Sequence, residues 1–171
     1  MTQVDLWTLE NELRTPDAEP LCGVDEAGRG PLAGPVCAAA VILPKGLVID
    51  GLNDSKKLTD KKRRELYDVI TQSAVSYGIA MASEQEIDEI NILQATFLAM
   101  QRALDKLAVK PDLALIDGNR AKDFGLPVRT IVKGFGGVHM AVALRDEQRL
   151  AHIRGHVFFR LCAGRYAVVG K

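Results

Sequence analysis

The sequence predicts one α/β domain, and three observations indicate that fold class. Apolar runs rich in valine, isoleucine and alanine, typical of buried strands, alternate with stretches in which apolar residues recur at helical spacing. Glycine, proline and asparagine separate these stretches. The 171 residues, 47% of them hydrophobic, suffice for one buried core and are too few for two full domains. We expect an arm over residues 1–20 and one domain over residues 21–171.

Five apolar runs are the candidate strands of a central sheet. The first run, residues 21–24, is short and ends at a pair of acids, and the second, residues 35–43, is longer. The remaining three runs are residues 77–82, 113–116 and 128–132. Asp-Gly-Asn and Lys-Gly follow the last two runs and are typical of turns.

Two helices are predicted between these strands. Thr59 precedes a stretch with apolar residues at helical spacing, which indicates a helix of about four turns. Ser83 and Glu86 match a capping box that opens the second helix. The apolar stripe of this helix stops before Pro111 and is expected to be core rather than a ligand site; it consists of Leu93, Phe97, Met100, Leu104 and Leu107.

Charge is distributed unevenly, although the formal net charge is zero. Residues 1–119 hold 12 basic and 19 acidic side chains, whereas residues 120–171 hold 10 and 3. A basic cluster interrupts the acidic part and comprises Lys56, Lys57, Lys61, Lys62, Arg63 and Arg64. Such clusters attract nucleic-acid phosphates, but most of them are solvated helix faces.

The composition disfavours membrane and secreted classes. No run reaches the roughly 20 apolar residues of a membrane helix, and the first twenty residues are acidic without an apolar signal-peptide run. A cytoplasmic protein is therefore expected. Cys22, Cys37 and Cys162 are odd in number and lack a CxxC pattern, so we expect small buried residues rather than disulfides or a zinc site.

Three carboxylates stand where strands are predicted to end. Asp25 and Glu26 follow the first strand, and Asp117 follows the fourth. Strand ends share an edge of a sheet, and clustered carboxylates repel one another unless cations lie between them. Oxygen ligands without histidine or cysteine suit Mg²⁺ or Mn²⁺. Alternatively, Asp25 caps a turn and Asp117 begins an Asp-Gly turn, and spacing alone does not decide between these interpretations.

A short glycine-rich segment, Gly28-Arg29-Gly30, follows the first two acids. Its glycines allow another backbone to approach closely, and the arginine between them can meet a phosphate or a sugar edge. A loop of this size is a weak signal and is neither a Walker motif nor a dinucleotide-binding motif.

Four motifs resemble those of bacterial ribonuclease HII. The first and most specific is GVDEAGRGPLAG over residues 23–34. NDSKKL over residues 53–58, NILQAT over residues 91–96 and LIDGN over residues 115–119 follow in the family's order. The resemblance runs from about residue 21 to Gly134.

The resemblance implies a ribonuclease H-like fold, with a mixed central sheet flanked by helices. It also implies an endonuclease that cuts the RNA strand of RNA–DNA hybrids, and duplex DNA at embedded ribonucleotides, leaving 5′-phosphomonoesters. In the family, four carboxylates hold two Mn²⁺ or Mg²⁺ ions, one of which activates the attacking water. Asp25, Glu26 and Asp117 match three of those four carboxylates.

The resemblance further implies the residues that bind the substrate. Gly28, Arg29 and Gly30 match the segment that reads the 2′-hydroxyl at an RNA–DNA junction. Lys56 and Lys57 match the family's basic turn and are expected to hold phosphates.

The resemblance fails after Gly134. Where the family places its fourth acidic residue, this chain has Phe135, and residues 135–171 are a divergent tail. A shifted reading frame or an internal deletion is one hypothesis for that tail. Asp146 and Glu147 are the only acids after Asp123, so they are the only downstream substitutes for the fourth carboxylate.

Three functions are compatible with these residues: an active nuclease, an impaired relative that still binds hybrids, and an unrelated Mg²⁺-dependent phosphohydrolase. The long opening motif disfavours the third. The first two differ in whether a fourth metal ligand exists. The expected partner is an RNA–DNA hybrid or a duplex containing ribonucleotides, no membrane partner is expected, and the chain is expected to be a monomer.

Overall fold

The structure is a computed structural model that describes residues 20–29, 34–45, 47, 49 and 59–131. The expectations for the arm up to residue 19, for Gly30, for Lys56 and Lys57, and for the chain after residue 131 therefore lie outside the described residues.

Within the described residues, five strands form one mixed sheet in the order β3-β2-β1-β4-β5. The strands are β1 Leu21–Ala27, β2 Val36–Ile42, β3 Ser76–Ala82, β4 Leu113–Asp117 and β5 Val128–Ile131. β1, β2 and β3 pair antiparallel, whereas β1 pairs parallel with β4 and β4 parallel with β5. The predicted α/β class and the mixed sheet are confirmed.

Two helices cover opposite faces of this sheet. α1 spans Asp60–Ser73, and α2 spans Glu84–Asp105. Alternate residues of each strand point to opposite faces, and the α2 face holds the larger core cluster, which includes Val24, Ala38 and Ile116. The smaller cluster lies on the α1 face and consists of Ala39, Val41, Leu43, Leu66 and Ile70.

β1 continues beyond its predicted end at residue 24. The antiparallel ladder with β2 extends to the pair Ala27 and Cys37, whereas the parallel ladder with β4 ends at Val24 and Ile116. Asp25 and Glu26 therefore lie within a strand that β2 supports on one side, rather than in a turn after it. The polarity of the two acids hid this extension, since strand prediction relies on apolar runs.

α2 turns back on itself at Asn91, which the sequence did not predict. Asn91 has φ 66° and ψ 162° and separates two helical segments, residues 84–90 and 92–105. Glu86 and Arg102, 16 residues apart, form two hydrogen bonds of 3.0 and 2.7 Å. A continuous helix would separate these residues by about 24 Å, beyond the reach of their side chains. The two segments therefore fold against each other.

The predicted capping box opens the first of these segments. The Ser83 hydroxyl accepts a hydrogen bond from the Glu86 N–H at 3.2 Å, and the Glu86 carboxylate accepts one from the Ser83 N–H at 2.8 Å. Hydrogen bonds from Arg102 and Ser83 lower the pKa of Glu86 to about 2, and the bond to Glu86 raises the pKa of Arg102. Glu86 thus joins the start of α2 to its last turns.

β3 is the outermost strand on one side of the described sheet, and two cations bind to it, one from α2 and one from its C-cap, Lys106. Alternate residues of an edge strand direct their backbone groups away from the sheet. The Lys106 ammonium donates to the carbonyl of Ile79 at 2.7 Å, and Arg102 donates to the carbonyl of Met81 at 3.0 Å. A Cβ on Gly78 would overlap the carbonyl oxygen of Ala103, so β3 and α2 pack without space for a side chain there.

The cysteines within the described residues agree with the sequence expectation. Cys22 and Cys37 are buried and free. Burial raises the pKa of the Cys22 thiol to about 12, so the thiol is a neutral core group at ordinary pH.

Candidate functional site

The parallel strands β1, β4 and β5 bring their carboxyl ends to one edge of the sheet. Val24 and Ile116 are register partners on β1 and β4, and Asp25 and Asp117 come one residue later on each strand. Neighbouring strands lie about 4.8 Å apart. Carboxylates that are 92 residues apart in the chain thus stand at the same level on adjacent strands.

Asp25 and Glu26 occupy opposite faces of the sheet. The register partner of Asp25 is Ala39, which belongs to the α1-face cluster, and that of Glu26 is Ala38, which belongs to the α2-face cluster. Asp25 is 4% exposed, and its carboxylate accepts a hydrogen bond from the Glu26 N–H at 2.7 Å. By strand alternation the two adjacent acids therefore leave β1 on different faces, and Glu26 lines the pocket at this edge.

A pocket of about 340 Å³ opens at this edge on the α2 side. Glu26 and Asp117 line it together with the two arginines Arg29 and Arg120. The other lining residues are Gly118 and Asn119 after β4, and Leu93, Thr96, Phe97 and Met100 on α2. The pocket thus combines carboxylates from two strands, two guanidinium groups and an apolar wall.

Arg29 and Glu26 contact each other at the pocket. Gly28 has φ 108°, and this left-handed conformation turns the chain after β1. The Arg29 guanidinium then forms an ion pair of 3.1 Å with the Glu26 carboxylate, the two side chains being 49% and 13% exposed. A predicted substrate-binding residue and a predicted metal ligand therefore contact each other.

Asp117 is both a turn residue and a pocket residue. Gly118 has φ 128° and open space around its Cα, so backbone conformation rather than crowding favours glycine there. The Gly118 N–H donates to the Ile131 carbonyl at 3.0 Å and continues the contact with β5. The tight turn explains why the Asp-Gly pair alone could not identify a site.

The donor chemistry at this edge fits a divalent cation, because all three predicted ligands are carboxylates and Asp25 and Asp117 share one level. Among the described residues, no three His, Cys, Asp or Glu side chains lie close enough together to hold a metal ion. The role of Asp25, Glu26 and Asp117 as a joint metal site stays a prediction.

Several pocket residues were missed by the sequence reasoning. Leu93, Phe97 and Met100 belong to the stripe expected to be core, and Phe97 and Met100 are indeed buried, yet all three also line the pocket. Thr96 belongs to the NILQAT motif, which could have indicated its role. Arg120 directly follows the LIDGN motif. The only sequence signal for Arg120 was its position as the first basic residue of the range 120–171, where basic residues are in excess.

A helix that crosses a bilayer must be long and predominantly apolar. Neither α1 nor α2 is long and apolar enough to cross a membrane.

Fold and pocket together define an α/β protein of ribonuclease H-like architecture, with a pocket of carboxylate and guanidinium groups at the carboxyl edge of its sheet. Its backbone is similar to that of the ribonuclease H2 from Pyrococcus horikoshii OT3, with a TM-score of 0.69, 23% identity and coverage of 86% of this chain and 79% of that one. It is also similar to Bst-RNase HIII in complex with Mn²⁺, with a TM-score of 0.64, 16% identity and coverage of 79% and 53%. These likenesses confirm the predicted fold.

The family described as Ribonuclease HII matches residues 22–152, and the chain belongs to that family. Ribonuclease HII of Caldicellulosiruptor saccharolyticus is 50% identical over 128 residues, which are 75% of this chain and 62% of that protein. Ribonuclease HII 1 of Methylibium petroleiphilum is 62% identical over 112 residues, 66% and 57% of the two chains. The chain thus spans about three fifths of the length of these relatives. The match extends past Gly134, where the motif resemblance stopped.

Proposed function

We propose that the chain hydrolyses the RNA strand of RNA–DNA hybrids and cuts duplex DNA at embedded ribonucleotides, leaving 5′-phosphomonoesters. One observation carries the proposal: a pocket in which Glu26 and Asp117 meet Arg29 and Arg120, in a chain of the ribonuclease HII family. Carboxylates suit cations, guanidinium groups suit phosphates, and a phosphodiester substrate requires both.

We assign the cofactor to the class of divalent metal ions, with Mn²⁺ or Mg²⁺ as the specific candidates. The family depends on divalent metal, and the related Bst-RNase HIII has been solved with Mn²⁺. Asp25, Glu26 and Asp117 are the proposed ligands. When bound, such ions activate water and stabilise the leaving oxygen of a phosphodiester.

The remaining proposed roles belong to side chains that meet the nucleic acid. Arg29, half exposed at the pocket, is proposed to contact a sugar or phosphate, and Gly28 and Gly30 are proposed to read the 2′-hydroxyl of a ribose beside it. Lys56 and Lys57 are proposed as phosphate anchors that act independently of sequence.

A second candidate function is hybrid binding with impaired catalysis. Phe135 stands where the family has its fourth acidic residue, and phenylalanine offers no oxygen ligand. Asp146 is the nearest downstream acid that could substitute. The two candidates share the substrate and differ in the rate of the chemical step.

Cleavage of a duplex with a single embedded ribonucleotide, in Mn²⁺, tests the proposal. The parent chain is compared with Asp117→Asn and with the control Asp112→Asn, which removes an exposed acid just before the other end of the same strand, β4. We expect Asp117→Asn to lose cleavage and Mn²⁺ binding, measured by calorimetry, and Asp112→Asn to keep both. Binding without cleavage by the parent would favour the second candidate, and Mn²⁺ binding by Asp117→Asn equal to the parent would refute the assigned ligands.

A monomeric state and a cytoplasmic location also stay proposals. Light scattering coupled to size exclusion measures the first directly, and a mass twice that of the 18.6 kDa chain would contradict it.

A further inference from the structure

Asn91 has a backbone conformation that glycine alone adopts readily. Its φ of 66° and ψ of 162° place its Cβ in a sterically costly position. It is the one non-glycine residue with positive φ among the residues that the structure describes. It also begins the NILQAT motif, to which the proposed chemistry gives no role.

The Asn91 side chain caps the helical segment that follows it. Its amide oxygen accepts hydrogen bonds from the N–H groups of Leu93 and Gln94, at 3.1 and 3.2 Å. These are the donors that an N-cap residue satisfies. Asparagine thus caps the helix at a corner whose backbone conformation favours glycine. Alanine has no side-chain acceptor for the cap and lacks the backbone freedom of glycine.

This corner sets the direction of the pocket wall. Leu93, Thr96, Phe97 and Met100 follow Asn91 within residues 92–105 and line the pocket that contains Glu26 and Asp117. The Thr96 hydroxyl donates to the Ile92 carbonyl at 2.7 Å, so its hydrogen bond stays within the helix. The position of the wall therefore depends on how the helical segment leaves the corner.

A second contact holds the segment at its other end. The bidentate pair between Glu86 and Arg102 joins the two parts of α2 across the corner. Because both ends of the fold-back are fixed, a change of backbone at Asn91 must shift the first turns after it. Those turns carry the pocket residues.

We propose that Asn91 is a positioning residue: its capped, positive-φ corner fixes the apolar wall at the distance from Glu26 and Asp117 that a nucleic-acid strand requires. The inference rests on the proposed nuclease function, because the wall faces the space assigned to that strand. Asn91 acts through the helix and does not itself contact the reacting groups.

Two substitutions at Asn91 separate positioning from simple stability. Asn91→Gly keeps the backbone conformation at little cost and remains an acceptable N-cap, whereas Asn91→Ala disfavours the conformation and removes the cap. The control Ile70→Val loosens the core on the opposite, α1 face of the sheet and leaves the pocket untouched. All three variants are assayed well below their melting temperatures.

We expect Asn91→Ala to lower the single-turnover rate about 10- to 100-fold, since small displacements of positioning groups have effects of that size. Asn91→Gly should stay within about twofold of the parent, as glycine replaces asparagine at N-caps with little loss, and Ile70→Val should keep the parent rate. Full activity of folded Asn91→Ala would overturn the proposal and leave Asn91 with a stabilising role only.

Methyl NMR, which does not depend on catalysis, distinguishes this proposal from the nuclease proposal. The methyl resonance of Met100 reports on the pocket wall, and that of Ile70 in the core cluster on the opposite, α1 face serves as an internal reference. A shift of Met100 in Asn91→Ala but not in Asn91→Gly supports positioning even if the parent chain cleaves nothing. An unshifted Met100 in both variants overturns it, whatever the activity of the parent.

Discussion

Replacing Glu86 by glutamine should destabilise the protein, because Glu86 joins the two segments of α2. Glutamine keeps an oxygen for the Ser83 N–H but loses the charge that Arg102 contacts at 2.7 Å. A pKa lowered from 4.5 to about 2 corresponds to an upper bound of about 3 kcal/mol. The Arg102 and Glu86 side chains are 41% and 30% exposed, so solvent screening reduces the expected loss to about 1 kcal/mol.

The pH dependence of this contribution has a definite sign. Because the pKa of Glu86 is lower in the folded protein than in the unfolded chain, its stabilisation is fully present above pH 4.5 and disappears as the pH falls through about 2. The free energy of unfolding of the parent should therefore decline more steeply over this window than that of Glu86→Gln.

Urea denaturation at pH 7 and at several acidic pH values measures both effects. Glu89→Gln is the matched control, since Glu89 is an exposed acid on the same helical segment. A double-mutant cycle with Arg102→Met measures the interaction free energy between Glu86 and Arg102. Equal stability of parent and Glu86→Gln at pH 7, or a coupling energy near zero, would refute the reasoning.

Three further predictions follow from single residues. The Cys22 thiol, with its pKa raised to about 12 by burial, should resist a disulfide reagent at pH 8 until the protein unfolds. Rapid reaction of the folded Cys37→Ala, Cys162→Ala double variant, which keeps only Cys22, would contradict the burial of this thiol. Gly78→Ala should cost about 2 kcal/mol in chemical denaturation, because its Cβ would overlap the Ala103 carbonyl oxygen; an unchanged midpoint would mean that β3 can move away. Lys56→Ala should weaken binding to any duplex and flatten its salt dependence, whereas Gly30→Ala should remove the preference for a ribose, and an unchanged salt slope would count against the lysine as a phosphate anchor.

Much of the fold followed from local patterns. The capping box at Ser83 and the apolar runs located α2 and all five strands, since these signals depend on neighbouring residues. The corner at Asn91 did not follow, because apolar spacing is compatible with one long helix. The contact that closes the corner, between Glu86 and Arg102, joins residues 16 apart, and no local pattern records it.

The site was predictable in its chemistry and less so in its geometry. Glu26, Arg29 and Asp117 were identified from motifs, and the structure places all three in one pocket. The opposite face of Asp25 was not foreseen, because it depends on the ladder with β2 continuing through the acids. The pocket wall was assigned to the core, since apolar spacing does not reveal which end of a buried stripe borders a cavity.

The hydrogen bonds to β3 from Lys106 and Arg102 bear on which backbone groups of that strand remain open to another chain. An outermost strand offers unpaired carbonyls to which a strand of another chain can add, and such addition starts aggregation. Here the carbonyls of Ile79 and Met81 are already occupied by charged side chains. To pair with these carbonyls, an incoming strand would have to displace both cationic side chains. Arg102, which holds the α2 fold-back, thus also occupies a carbonyl on the outer strand of the described sheet.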